Sequence, residues 1–139
     1  MPDQTPFQRA IAELDALHAE DPRRVDVEGE SLPLELWHAG RMSAWLERVV
    51  EAPGELVQIA VRSQHLQRWE VPRNDYPEGR VGYLTWRRDQ GKRAGETTAR
   101  VMEAAGYSPQ DAAEVSRMIR KQGLGRDPGT QAVEDCACL

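Results

Sequence analysis

The centre of the chain, residues 64–87, reads QHLQRWEVPRNDYPEGRVGYLTWR and holds one histidine, four arginines and four aromatic residues. We predict that a helix ends at Trp69, that a turn follows around Pro72, and that a new helix opens beyond the turn. His65 and Trp69 would then lie one turn apart on one helix face, with the next helix folded back over them. The stretch therefore predicts the wall of a ligand pocket.

Length and composition predict a single soluble domain. The chain has 139 residues, of which 40% are hydrophobic, which is enough for one core. No apolar run approaches the roughly 20 residues that a membrane helix needs. Residues 1–8 lack the basic and apolar regions of a signal peptide. We therefore expect a cytoplasmic protein with no membrane partner.

The charge of the chain is distributed unevenly. The net charge is -5, but residues 61–93 contain eight basic and four acidic residues, which leaves a net charge of -9 for the remainder. A cationic centre in an acidic protein favours a small anionic ligand, because a long nucleic acid would meet a repulsive surface elsewhere. The alternative is a solvated helical face with internal ion pairs.

Helical periodicity runs through nearly the whole chain, and we find no strand alternation. The predicted class is all-α, a compact bundle of five to six helices in one domain over residues 1–139. The helices are expected at 6–20, 32–51, 54–69, 81–105, 109–123 and from 130 onward, with a polar connection at 22–31 and a loop at 70–80. We expect the helix at 54–69 to be central, and the apolar end from Val133 to Leu139 to be buried against the core or in a homodimer.

Five motifs stand out along the chain: Arg41-Met42-x-x-Trp45-Leu46, Gln64-His65-x-x-Arg68-Trp69, Pro72-Arg73-x-x-Tyr76-Pro77, Gly79-Arg80-x-Gly82-Tyr83-Leu84-x-Trp86-Arg87 and Asp127-Pro128-x-x-Gln131-x-x-Glu134-Asp135-x-Ala137-Cys138-Leu139. From about residue 8 to the end, the chain resembles the DUF4202 family, an uncharacterised family of small bacterial and fungal proteins. The resemblance implies a fold but no established activity.

Two departures from the family pattern affect what the resemblance implies. Members of the family continue with more helix beyond the last motif, so a C-terminal helix of the family is expected to be missing from this chain. Members also usually carry a histidine near the middle of the long helix, where this chain reads Lys92-Arg93-Ala94-Gly95-Glu96. Any role of that histidine is expected to be absent.

The chain is also loosely similar to the HD-domain superfamily of metal-dependent phosphohydrolases. That pattern has a histidine on one helix, a His-Asp pair at the end of the next helix, and a distant aspartate. The likeness implies an HD-like fold and makes His38, His65 and Asp135 the metal candidates. Leu66 stands where the aspartate of the pair would be, and its side chain cannot ligate a metal. We therefore expect no cofactor, with a divalent metal as the alternative.

The candidate catalytic residues are His65, Arg73, Glu134 and Asp135. His65 has a side chain suited to proton transfer near neutral pH, and Arg41 or Arg68 is the expected partner of a buried Glu134 or Asp135. The candidate substrate-binding residues are cations and aromatic rings: Arg41, Arg68, Trp69, Tyr76, Arg80, Tyr83, Trp86 and Arg87. One cavity is expected to be surrounded by His65, Arg68, Trp69, Arg73, Tyr76, Arg80 and Tyr83, with Arg41 and Glu134 or Asp135 completing it. His18 is interpreted as a surface residue.

Three functions follow from these candidates. The first is an HD-like enzyme acting on a small anionic substrate such as a phosphoester. The second is a metal-free enzyme in which His65 is the acid or base and an Arg–carboxylate pair orients the substrate. The third is a non-catalytic ligand-binding or scaffold protein with a degenerate metal site. The expected partner is a small anionic molecule, and no nucleic acid is expected to bind.

Overall fold

The computed structural model describes residues 4–122 and 126–137 and confirms a mainly helical fold. The helices are α1 (Pro6–His18), α2 (Leu34–Val49), α3 (Glu55–Ser63), α4 (Arg80–Ala105), α5 (Pro109–Ile119) and α6 (Pro128–Ala137). Two strands, β1 (Arg24–Val27) and β2 (Glu30–Pro33), form a small antiparallel sheet, and short 3₁₀ turns cover Arg68–Glu70 and Arg73–Asp75. The long helix α4 begins one residue before its predicted start and ends at the predicted residue.

Side-chain caps explain several of the helix boundaries. The Thr5 hydroxyl accepts a hydrogen bond from the backbone N–H of Gln8, whose side chain in turn accepts from the N–H of Thr5, and α1 then begins at a proline. Ser108 caps α5 in a similar way, by accepting from the N–H of Asp111. Gly106 ends α4 with a φ of 114°, in the left-handed region that favours glycine.

The expectation that the chain contains no strand was wrong. Residues 22–31, predicted as an irregular connection, include β1 and the start of β2, which pair in register with Val25 opposite Leu32. Glu28 and Gly29 form the two-residue turn with φ values of 51° and 89°, as a tight hairpin turn requires. Val25 and Val27 are half-buried while Asp26 is exposed, so the strand does alternate, but over only four residues.

The central helix of the fold is α3, as predicted. It packs against α1, α2, α5 and α6, and it buries Ile59, Ala60, Val61 and Ser63. Its predicted extent was wrong, because α3 ends at Ser63 rather than at residue 69. The chain then turns, and Gln67 adopts a left-handed conformation with a φ of 56°. His65 and Trp69 therefore do not share a helix face.

The C-terminal helix α6 is packed into the core. Val133 and Cys136 are fully buried, which agrees with the prediction that the apolar end of the chain is covered. Helix α6 contacts α2, α3 and α5. Cys138 and Leu139, at the end of the predicted buried segment, lie outside the described residues. Across the part of the chain described, no helix is long and apolar enough to cross a membrane.

Two glycines in α4 provide a matched test of the packing. A Cβ atom on Gly82 would lie 1.9 Å from the carbonyl oxygen of Pro77, whereas a Cβ on Gly91 would lie 3.5 Å from the carbonyl oxygen of Ile119, an ordinary contact. Alanine in place of a helix-interior glycine normally stabilises by roughly 1 kcal/mol. We expect Gly91→Ala to raise the free energy of unfolding by about that amount and Gly82→Ala to lower it, measured by urea unfolding. Equal changes in the two variants would contradict this packing.

Candidate functional site

A cavity of about 300 Å³ lies between the turn that follows α3 and helices α4, α5 and α6. We call it the basic cavity, because five cationic residues and one carboxylate contribute to its lining. The lining residues are Gln64, His65, Arg68, Leu84, Arg87, Arg88, Gly91, Ile119, Arg120, Lys121, Glu134 and Ala137. The cations come from separate segments of the chain, so the fold brings together positive charges that are far apart in the sequence.

Most of the cations around the basic cavity have a carboxylate nearby. The Nζ atom of Lys121 lies 3.3 Å from Glu134 and also donates a hydrogen bond of 2.8 Å to the Gln64 side chain. Arg87 approaches the same Glu134 carboxylate at 3.9 Å. Two further pairs lie at the rim, each with an N···O separation of 3.6 Å: Arg88 with Asp89 and Arg120 with Glu96. The remaining cation, Arg68, has a different environment.

The guanidinium of Arg68 lies over the ring of Trp86, with 5.2 Å between the guanidinium carbon and the ring centroid. Its Nε atom is buried and has no hydrogen-bond partner in the described structure. Burial, followed by the charge of Arg87, lowers the pKa of Arg68 from its ordinary value. A buried guanidinium N–H without an acceptor is unfavourable.

Helix α4 fixes the backbone around Arg68. The side-chain amide of Gln90 donates to the carbonyl oxygens of Arg68 and Val71, at 3.0 Å and 2.7 Å. The indole N–H of Trp86 also donates to the Val71 carbonyl, at 2.9 Å. These bonds hold the 3₁₀ turn at Arg68–Glu70 against α4 and so fix the backbone position of Arg68.

A second cavity, of about 320 Å³, shares His65 and Arg68 with the first. We call it the aromatic cavity, since Trp37 and the two histidine rings contribute to its lining. The full lining is Arg23, Leu34, Glu35, Trp37, His38, His65 and Arg68. The rings of His38 and His65 are tilted against each other, with 5.2 Å between their centroids. His65 and Arg68 thus stand between the two cavities.

Both histidines at this junction favour the neutral imidazole. Burial, then the positive charge of Arg68 and the proximity of His38, lower the pKa of His65 well below its ordinary value. Burial also lowers the pKa of His38, together with the charges of Arg68 and Arg41. Near pH 7 both rings are therefore mostly uncharged.

His18 is not the surface residue that was predicted, because its side chain is fully buried. Its Nε2 lies 2.9 Å from the carbonyl oxygen of Arg62, and its Nδ1 lies 2.7 Å from a carboxylate oxygen of Glu35. A carbonyl oxygen can only accept, so Nε2 carries the proton that it donates to Arg62. The other nitrogen is hydrogen-bonded to Glu35, which is itself only 3% exposed.

The Glu35 carboxylate organises the turn that carries His65 and Arg68. One oxygen accepts a hydrogen bond from the backbone N–H of Gln67 and the other accepts from the N–H of Arg68, both at 3.0 Å. The turn places Gln67 in the left-handed region, which is unfavourable for residues with a side chain. The carboxylate therefore explains why α3 ends before residue 69.

Asp21 supports the same network from the other side. It is buried, and its carboxylate accepts from the backbone N–H of Glu35 at 2.9 Å and pairs with Arg23 at 3.0 Å. Burial alone would raise the pKa of Asp21, but the hydrogen bonds from Arg23 and Glu35 outweigh it and lower the pKa. Arg23 is thereby neutralised at the edge of the aromatic cavity.

The sequence predicted one cavity, and most of the residues predicted to line it were wrong. Of the seven residues proposed for it, His65 and Arg68 line the basic cavity, whereas Trp69, Arg73, Tyr76, Arg80 and Tyr83 line neither of the two cavities. The break at Gln67 rotates the later residues away. The hydroxyl of Tyr76 donates to Asp89 at 2.6 Å, and Arg73 donates to the backbone carbonyls of Tyr76 and Gly79. These side chains hold the turn before α4.

Of the other predicted site residues, some line or support the basic cavity and others lie at the surface. Arg87 and Glu134 line the basic cavity, and Trp86 supports it through Arg68. Glu134 is paired with Lys121 and Arg87, which are not the partners that were predicted for it. Arg41 is exposed and stacks on Trp37, with 5.1 Å to the ring centroid.

The three metal candidates are not gathered together. His38 and His65 are neighbours, but Asp135 is exposed and accepts a hydrogen bond from Gln131. Leu66 is buried in the core. Within residues 4–122 and 126–137, no group of three or more His, Cys, Asp or Glu side chains is placed to hold a metal ion.

Sequence reasoning missed four polar residues of the basic cavity: Gln64, Arg88, Arg120 and Lys121. The paired cations Arg87-Arg88 and Arg120-Lys121 were a usable signal, since each pair lies on or directly after a helix predicted to pack against its neighbours. The link between His18 and Glu35 had no such signal. Their contact joins residues 17 positions apart, and nothing in the local pattern indicated that both are buried.

Replacing Glu35 by glutamine should destabilise the protein. In Glu35→Gln the amide NH₂ would face a backbone N–H or His18, so at least one buried donor would lose its acceptor. We expect a loss of about 3 kcal/mol in the free energy of unfolding, the scale found when a buried hydrogen-bonding group is left without its partner. Glu47→Gln, an exposed position on the same helix, is the control and should change stability by less than about 0.5 kcal/mol. Similar losses in the two variants would contradict a special role for Glu35.

The low pKa of His65 predicts a pH dependence of stability. The folded state resists protonation of His65, while the unfolded state takes the proton near pH 6.5. This contribution to stability is present above about pH 6.5 and is lost as the pH falls through the folded-state pKa. Urea unfolding between pH 7.5 and 5 should show a smaller decline for His65→Asn than for the wild type. An unchanged decline would show that His65 is not held in its neutral form.

Comparison with known protein families identifies the family of the chain. Residues 8–139 match the family model described as Domain of unknown function (DUF4202). Searches of curated proteins and of solved structures found no match. The matched range includes every residue that lines the two cavities. The chain belongs to the DUF4202 family.

Proposed function

We propose that the protein binds a small anionic molecule in the basic cavity and acts on it with His65 as the acid or base. The observation that carries the proposal is that Arg68 lines the cavity and that its buried Nε has no hydrogen-bond acceptor in the described structure. A phosphate or carboxylate group would accept from that nitrogen and from its neighbours, as these groups commonly do with arginine.

The surrounding charges support a small ligand rather than a polymer. Five cations and one carboxylate line a cavity of about 300 Å³, near the lower limit of small-molecule sites. The protein carries a net charge of -5, so most of its surface would repel a nucleic acid. The five cations that line the cavity come together around one small volume, which favours a molecule small enough to fit inside it.

The chemical role proposed for His65 follows from its neutral state. An uncharged imidazole beside Arg68 can accept a proton from a substrate hydroxyl or from a water molecule. A bound anion would offset the positive charge of Arg68, which now lowers the pKa of His65. Binding would therefore make His65 a stronger base at the moment when a substrate is present.

One observation favours the alternative of a non-catalytic binding protein. Glu134 is occupied by Lys121 and Arg87, and Asp135 is exposed away from the cavity, so neither carboxylate stands free beside His65. Under this alternative His65→Asn would retain both affinity and biological function. For an enzyme, the same variant would retain binding and lose turnover of the bound compound.

Anion binding can be tested by thermal unfolding in phosphate, sulfate and citrate against chloride at matched ionic strength. A ligand that binds the folded state raises Tm with concentration. We expect the wild type to be stabilised by several degrees by at least one of these anions, and Arg68→Gln and Arg87→Gln to lose most of that effect. Arg80→Gln is the control, since Arg80 is exposed at the start of α4 and lines neither cavity.

Two outcomes of this experiment would overturn the proposal. The first is an absence of any anion effect on the wild type. The second is an equal loss in Arg80→Gln and Arg68→Gln, which would indicate unspecific screening of surface charge. Circular dichroism of each variant verifies that its helical content is retained.

A further inference from the structure

We propose that the ligand is a phosphate monoester of a planar-ring compound, with the phosphate in the basic cavity and the ring in the aromatic cavity. This inference rests on the proposed function and names its substrate class. It follows from three features of the described structure. These are the two residues that line both cavities, the positive charge around the basic cavity, and the aromatic side chains of the aromatic cavity.

The two cavities form two sides of one junction. His65 and Arg68 line both, and the volumes are about 300 and 320 Å³. Each alone is at the lower limit of the range of about 300–1,000 Å³ typical of small-molecule sites. A ligand that passes His65 and Arg68 would use both volumes.

The basic cavity suits a dianion better than a single carboxylate. Arg68 has no carboxylate partner among the described residues, and Arg87 reaches Glu134 only at 3.9 Å while Lys121 approaches the same carboxylate more closely. Two guanidinium groups therefore remain available for charge-assisted hydrogen bonds. A phosphate monoester near pH 7 carries close to two negative charges and three acceptor oxygens, which matches this pair.

The aromatic cavity suits an uncharged planar group. Its charged members are already engaged, since Arg23 pairs with Asp21 at 3.0 Å and Glu35 is bonded to His18, Gln67 and Arg68. The remaining contributors are Leu34, the rings of Trp37, His38 and His65, and Arg68, which the aromatic cavity shares with the basic cavity. Aromatic side chains of this kind stack on flat ligands.

The position of His65 fits the bond that would join the two parts of such a ligand. Its ring lies 5.2 Å from that of His38 on the aromatic side, and the residue also lines the basic cavity next to Arg68. A molecule with its phosphate on one side and its ring on the other would carry its linking atoms past the His65 imidazole. This places the proposed acid or base beside the ester or sugar atoms.

Isothermal titration calorimetry with ring-bearing and ring-free phosphates tests the inference. The probes are inorganic phosphate, ribose 5-phosphate, phenyl phosphate and the four common nucleoside 5′-monophosphates, with citrate as an anion that carries no phosphate. We expect at least one ring-bearing ester to bind about tenfold or more tightly than ribose 5-phosphate, since stacking of one base contributes on that scale.

Two tryptophans on the same helix provide matched variants. Trp37→Leu should remove the advantage of the ring-bearing ester and leave the affinity for ribose 5-phosphate unchanged. Trp45→Leu is the control, because Trp45 is exposed on α2 and lines neither cavity. Arg87→Gln should weaken both classes of phosphate. This pattern would support a ligand that spans the junction.

The possible failures of the inference and of the proposed function are distinguishable. If ribose 5-phosphate binds and no ring-bearing ester binds more tightly, the anion site stands and the planar-ring inference is wrong. The same holds if citrate binds and the phosphates do not, or if Trp37→Leu and Trp45→Leu have equal effects. If no anion binds at all, the proposed function fails together with the inference.

Discussion

The buried carboxylate of Glu35 is the interaction on which the arrangement at the centre of this protein depends. It accepts hydrogen bonds from two backbone N–H groups of the turn after α3 and is hydrogen-bonded to the ring of His18, which in turn donates to a carbonyl oxygen in the last turn of α3. Burying these polar groups has a cost that only complete hydrogen bonding offsets. The network therefore permits one conformation of the turn, including the left-handed Gln67.

The position of both cavities follows from that turn. Had α3 continued to residue 69, Arg68 would point in another direction along the helix surface and would not meet Trp86. Instead the chain breaks, and Gln90 and Trp86 hold the next segment against α4. His65 and Arg68 come to stand between an aromatic space and a cationic space. The hydrogen bonds to Glu35 that end α3 thus also position the residues of the candidate site.

The helices themselves were largely predictable from the sequence, because their boundaries depend on local chemistry. Thr5 and Ser108 cap helices that begin at proline, and Gly106 ends α4 as a left-handed residue. The hairpin at 24–33 was missed because strands of four residues give only a brief alternation, although Glu28-Gly29 is a recognisable turn.

The site was less predictable, since it depends on contacts between distant residues. His65, Arg68 and Arg87 were found from their density in the central stretch. Arg73 and Tyr76 were misplaced because the sequence gives no sign that Glu35, more than 30 positions earlier, would interrupt α3. Lys121 was overlooked, since its approach to Glu134 and Gln64 depends on how α5 and α6 pack. Local patterns predict the elements, while buried polar contacts decide where side chains meet.

Amide hydrogen exchange, followed by NMR, tests the central claim most directly. The backbone N–H groups of Gln67 and Arg68 lie in a turn, where amides ordinarily exchange fast, yet both donate to a buried carboxylate. We predict that they exchange only on opening of the core, with protection comparable to that of Val61 in α3. Exchange as fast as that of Asn74, in the exposed segment before α4, would contradict it.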